Sequence, residues 1–223
     1  MKWRDVFHFD LSSDQEIVVA GAMQTALVGF LFIGLWERNV GVVVNTLFAL
    51  GVTFLPGLFE HDYSVPLDAG LVVWITGAVF LHAWGTVGLP GIGSFYANVP
   101  GWDHLTHTLS ATLVAAVGYS VARALDEHTR SIYLPDEFMF VFILLFVVAA
   151  GVFWEVLEFL IGLTAELMGA DAVLTQYGLR DSMLDLVFDM VGGVAVALWG
   201  SSQLSAVVAH LVTKLESSRP RKG

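Results

Sequence analysis

The chain contains no cysteine, only three lysines (Lys2, Lys214 and Lys222) and few charged residues, 14% of 223. Without cysteine, disulfides, thiolate metal sites and cysteine nucleophiles are excluded. Ten basic residues against 21 acidic ones leave a formal net charge of -11, so the basic footprint of a nucleic-acid-binding protein is absent. A soluble domain carries roughly a quarter charged residues, and the shortfall here points to lipid as the solvent. There is no H-E-x-x-H zincin motif, no P-loop and no G-x-S-x-G elbow.

What is present is hydrophobic, 56% of the residues, with a mean hydropathy of +0.73. Apolar runs over 15–36, 40–59, 67–89, 102–125, 137–162 and 182–200 predict about six transmembrane helices of ~20 residues each, an all-α polytopic bundle. Three segments follow. Residues 1–16 form an N-terminal interfacial segment, 17–200 the transmembrane domain, and 201–223 an amphipathic piece with a basic cytoplasmic tail. The first apolar run, Ile17 to Leu35, lacks a small-residue cleavage pattern and is read as a retained helix. With six spans, Lys2, Arg4, Arg123, Arg130, Lys214, Arg219, Arg221 and Lys222 fall on one side, leaving Arg38 and Arg180 on the other. The positive-inside rule then puts both termini in the cytoplasm of a cell (inner or plasma) membrane protein.

Three of these helices carry ionisable residues at helical spacing. In the fourth, Asp103 and His107 are four apart and share a face, although Asp103 after Pro100-Gly101 also suits a helix cap. The fifth carries Glu155 and Glu158 on a stripe with Gly151 and Gly162; Glu158, nearer the end, is the better placed to reach the surface. In the sixth, Asp181, Asp185 and Asp189 drift only ~80° around the helix; Asp181 is expected as a cap and the other two inside the span. His82 lies ~10 Å below the outer end of the third helix. Counted at 1.5 Å per residue, these groups all fall in the outer half of the bilayer, with Glu155 ~10 Å from its outer end. His104 is ~100° around its helix from Asp103 and is expected to face another neighbour. His8, His61, His128 and His210 belong to solvated or interfacial segments.

A carboxylate at mid-bilayer costs a few kcal/mol even on lenient insertion scales, and polar contacts between membrane helices return about 0.6 kcal/mol each. Arg180 is the one fixed cation near the six carboxylates, so some must be protonated or a cation must be bound. Three functions compete. One is a metal-dependent hydrolase or transferase acting on a lipid or lipid-linked substrate at the outer leaflet. Its ligands would be Asp103, His107, Glu155, Asp185 and Asp189, with Glu158 or His82 as general acid or base. The metal would be Zn²⁺, Mn²⁺, Mg²⁺ or iron. The second is an ion- or proton-coupled transporter, and the third a non-catalytic membrane scaffold.

The string Trp102-Asp103-His104-x-x-His107, then Trp154-Glu155-x-x-Glu158, then Asp181-x-x-x-Asp185-x-x-x-Asp189-x-x-Gly192-Gly193, resembles the YjdF-like inner-membrane proteins. The element His82-Ala-Trp-Gly85 fits the same layout. More distantly the order is similar to VanZ-like membrane proteins, with His104 where that family has Lys and Glu158 where it has Gln. The resemblance covers about residues 67–200 and implies a six-span bundle, but no activity. The charge asymmetry yields a first prediction. Green fluorescent protein fused after Lys222 should fluoresce, and alkaline phosphatase fused there should be inactive; the reverse pattern would invert the topology.

Overall fold

A computed structural model describes residues 12–217, apart from 66, 130, 175 and 177. The N-terminal interfacial segment falls largely outside the described residues, as do His8 and six of the orientation-setting cations, Lys2, Arg4, Arg130, Arg219, Arg221 and Lys222. The described chain is all-α. Its helices are α1 (Ser13–Glu37), α2 (Val40–Tyr63), α3 (Ala69–Val87), α4 (Phe95–Asn98), α5 (Trp102–His128), α6 (Asp136–Met168), α7 (Leu179–Gln203) and α8 (Ser205–Ser217). Six of them, all but α4 and α8, are long and apolar enough to cross a membrane.

Local chemistry sets several of the helix starts. Ser12 and Gln15 form a reciprocal capping box at α1, Asn39 caps α2 through the Val42 amide, and Asp68 caps α3 through the Leu71 amide. Arg38, in the left-handed conformation, reverses the chain between α1 and α2. Helix α3 is two residues shorter at each end than its apolar run, and the other five membrane-length helices run past theirs at one or both ends, because polar residues at a span's end can still form helix. The largest overshoot is α6, whose 33 residues make a helix of ~50 Å against a hydrocarbon core of ~30 Å. Glu155 therefore lies ~20 Å from the end of its helix, twice the depth expected from an end at residue 162.

The bundle divides into two groups of three. Helices α1, α2 and α3 pack on one another, as do α5, α6 and α7, and α3 joins the groups by touching α5. The closest pair is α5 with α7, whose facing surfaces are built from Ala111, Ala115, Gly192 and Val196. In lipid no hydrophobic force drives helices together, so close approach of small residues supplies the attraction. Gly193 abuts Val147 of α6, Gly118 faces the Phe146 ring, and Gly151 takes the Asp189 carboxylate against its backbone. Gly162, expected to serve in the same way, has open space around it because α6 has already outrun its neighbours. On the outward faces Phe32, Phe54, Leu145 and Phe153 are exposed, as lipid-facing residues are. At the C-terminal end of α5, Arg123 binds Asp126 and Asp136, and Asp126 accepts the Leu134 amide, which fastens the α5–α6 loop. Helix α8 turns back onto α5 with Val208 buried.

A Cβ on Gly192 would sit 2.5 Å from the Thr108 carbonyl oxygen and 3.0 Å from the Ala111 methyl, whereas one on Gly21 would meet nothing. Gly192→Val should therefore cost about 1–3 kcal/mol by overpacking, and Gly21→Ala should be near neutral. Thermal unfolding of the two variants in detergent checks this.

Candidate metal centre

The α5–α7 seam carries the buried charge. Asp185 and Asp189 both face α5 because they are one helical turn apart, and both are buried. His107, on α5, stands among three carboxylates. Its Nδ1 is 3.3 Å from Asp189 Oδ1, and its Nε2 is 3.7 Å from Asp103 Oδ1 and 3.9 Å from Glu155 Oε1. Asp189 thus takes the Nδ1 side, which turns Nε2 toward Asp103 and Glu155. Ligand atoms of Asp103, His107 and Asp185 lie within 4.8 Å of one another. Bond lengths of roughly 2.0–2.6 Å place the donors of one ion at such separations.

Glu155 supplies the sharpest local observation. One of its oxygens, Oε2, accepts from Gln176 at 3.3 Å, and Gln176 also donates to Ser182 at 2.9 Å. The other, Oε1, is buried with no hydrogen-bond partner, on a residue only 7% exposed. Leaving a buried acceptor unsatisfied costs about 1–3 kcal/mol, and more when it is charged. Among the described residues no lysine or arginine makes an ion pair with these carboxylates; Arg180 is exposed at the start of α7. Were all four carboxylates ionised, Asp103, Glu155, Asp185 and Asp189 would leave two negative charges uncompensated even with His104 and His107 both protonated, the charge of one divalent cation.

Some local expectations change. Asp103 does not occupy the cap: Gly101, with φ 78°, is the N-cap of α5, and Asp103 points into the cluster from the first turn. Asp181 is not a cap either, since Gly178 begins α7 with no side-chain capping bond. Glu158 is partly buried; it accepts the Trp154 indole N–H at 3.1 Å and lines the cavity described below. His104, expected to face another neighbour than Asp103, meets α7: its Nδ1 is 2.9 Å from Asp185 Oδ1 and its ring stacks on Phe188 at 4.6 Å. The signal lay in W-D-H-x-x-H, where imidazoles three apart both reach a helix packed across them.

His82 belongs to a neighbouring network whose proton positions can be deduced. Asn45 Nδ2 donates to the carbonyls of Gly41 and Val173, each at 2.9 Å, so Asn45 Oδ1 is the atom facing His82 Nε2 at 3.0 Å. That oxygen only accepts, hence Nε2 carries the proton and the neutral ring's Nδ1 accepts from the Tyr96 hydroxyl at 2.7 Å. Tyr96 also lies 3.3 Å from Thr106 Oγ1, and Thr106 donates to the Asp103 carbonyl. Neither Asn45 nor Tyr96 stands in a recognisable motif.

A cavity of about 580 Å³ joins both sets. Its wall includes His82, Asp103, His107, Glu158 and Asp189, but neither Lys nor Arg. A smaller one of about 210 Å³, lined by Tyr96 to Gly101 with Asp103, His104 and Asp181, lies at the N-terminal ends of α5 and α7. Asp103 is common to both.

Fold and site together define a multi-pass α-helical membrane protein with a buried His/Asp group able to hold a metal ion. The chain belongs to the family described as "Predicted membrane protein (DUF2238)", whose model matches residues 18–206. An "Uncharacterized protein" of Thermotoga maritima is 28% identical over 148 residues, 65% of this chain and 68% of that one. No solved structure matches the chain significantly.

The Asn45 network ties the α6–α7 loop to α2 through Val173. Asn45→Leu would strand His82 Nε2 and the Val173 carbonyl, and should lower stability by about 1–3 kcal/mol. It should also expose residues 170–178 to proteinase K, read by mass spectrometry of the first cleavage products.

Proposed function

We propose that this chain is a metal-dependent hydrolase or transferase acting on a lipid or lipid-linked substrate at the outer leaflet, with both termini cytoplasmic. The observation that carries it is the unpartnered Glu155 oxygen beside His107, within a ring of carboxylates that no fixed cation balances. Asp103, His107 and Asp185 would hold the ion, with Glu155 completing the set. Asp189 accepts from His107 Nδ1 and keeps Nε2 turned inward, and His104 orients Asp185 in the same way. An oxygen-rich donor set with one imidazole suits Mn²⁺, Mg²⁺, Fe²⁺ or Zn²⁺. Bound there, the ion would polarise a phosphoryl or carbonyl oxygen, or lower the pKa of a water.

The remaining roles belong to the cavity wall. Glu158 faces the cavity from α6 and is the general acid or base of this reading. His82 has both ring nitrogens engaged, so it acts through Tyr96, whose hydroxyl it accepts from. The small outer cavity at Asp103 and Asp181 supplies a route for water or a polar product. The YjdF-like likeness of the motif order is part of this proposal; the VanZ-like one has no support in the family or the relative matched. A transporter reading needs a path onward to the cytoplasm. Between the cluster and Arg123, α5, α6 and α7 carry one ionisable side chain, Tyr119.

Protein purified in detergent should retain one divalent metal per chain by elemental analysis. Asp185→Asn and His107→Ala should lose it, and Asp189→Asn should weaken affinity by roughly 10–100-fold. Wild-type protein free of metal after incubation with each candidate cation would overturn the reading.

A further inference from the structure

The large cavity does not lie within either group of helices. It lies between them, where α2 and α6 face each other without packing. Asn45, Phe48 and Val52 line it from α2, and Val147, Ala150 and Trp154 from α6, while α3 and α5 form its back. Its outer end is roofed by Ala172, Val173 and Leu174, and that roof is fastened by the Asn45 to Val173 hydrogen bond. Phe48 is 56% exposed although it lies ~12 Å inside its helix. The gap is therefore covered from above and open from the side, at a depth where the surrounding medium is hydrocarbon.

The wall also changes character with depth. Polar groups gather near the outer end, at Asn45, His82, Tyr96, Asp103 and Glu158. One to two helical turns deeper the lining is Val52, Val79, Leu113, Val114 and Val147. From Asn45 to Val52 is ~10 Å along α2. A volume of about 580 Å³ falls within the range of roughly 300–1,000 Å³ that encloses a single small ligand, which suits one chain and a headgroup. With neither Lys nor Arg on the wall, a headgroup's oxygens would find no fixed cation there.

We infer that the gap between α2 and α6 is a lateral lipid-binding site. One chain of a bilayer amphiphile threads past Phe48 onto Val52, Val79, Leu113 and Val147, and an oxygen of its headgroup reaches the polar end. The inference rests on the proposed metal centre only for what holds that headgroup oxygen, a phosphate oxygen or an ester carbonyl. A chain in this position enters from the membrane and never crosses the roofed outer face.

The test uses the full-length protein in nanodiscs doped with lipids bearing a mid-chain diazirine, in two arms: a phosphatidylglycerol and a diacylglycerol. Adducts are mapped by mass spectrometry with and without prior removal of metal. The expected result is adducts on the inward residues Val52, Val79, Leu113 or Val114, in addition to those on outward residues such as Phe54 and Leu145. Leu113→Trp should abolish the inward adducts and spare the outward ones. Adducts confined to outward faces of wild-type protein, or inward adducts that persist in a folded Leu113→Trp variant, would overturn the inference. If the inward adducts of one arm alone fall on metal removal, that arm identifies the headgroup oxygen. Inward adducts in protein that binds no metal would leave the lateral site standing and remove the metal centre. Bound metal without inward adducts would do the opposite.

Discussion

One imidazole held among carboxylates from three helices, out of water, sets the terms for the rest of this molecule. Charges a few ångströms apart repel strongly at low dielectric, and His107 alone does not balance Asp103, Glu155 and Asp189. The surrounding structure answers with geometry. Gly151 leaves room for Asp189 against the α6 backbone, and Gly192 lets α7 approach α5 closely enough for Asp185 to meet His104. Gln176 reaches back from the α6–α7 loop to hold one oxygen of Glu155. Each device fixes a carboxylate, and none brings positive charge. Holding such groups in lipid makes little sense as fastening, because average polar contacts between membrane helices are worth only about 0.6 kcal/mol.

Around that centre the two groups of three helices leave a gap instead of a seam. Beyond the charged cluster the seam between α5 and α7 closes on small residues, whereas α2 and α6 stand apart with polar groups at one end of the opening and valines at the other. The Asn45, His82 and Tyr96 network spans this divide, joining α2, α3, the segment before α5 and the loop above. It fastens one rim of the cavity while the gap between α2 and α6 remains unpacked.

Much of this was legible from residue spacing. Hydrophobic runs alone place the six membrane-crossing helices, because lipid demands long apolar segments. The i, i+4 pairs Asp103/His107 and Asp185/Asp189 lie together in the structure, as helical periodicity requires. The remainder depends on what packs across from what, which periodicity does not encode. His104 reads as a bystander until α7 is laid beside α5. Asn45 and Tyr96 belong to no motif, and each meets His82 across the chain, 37 and 14 residues away. Helix α6 continues well beyond its most apolar stretch, so Glu155 lies farther from the helix end than the hydrophobic run suggests, and Gly162 meets no neighbour.

The central claim is that a cation, bound through His107 and the adjacent carboxylates, balances this cluster. Pulsed electron paramagnetic resonance of protein loaded with Mn²⁺ tests it directly. The account predicts modulation from one directly bound imidazole nitrogen, lost in His107→Gln. A manganese signal without nitrogen coupling, or no retained manganese, would contradict it.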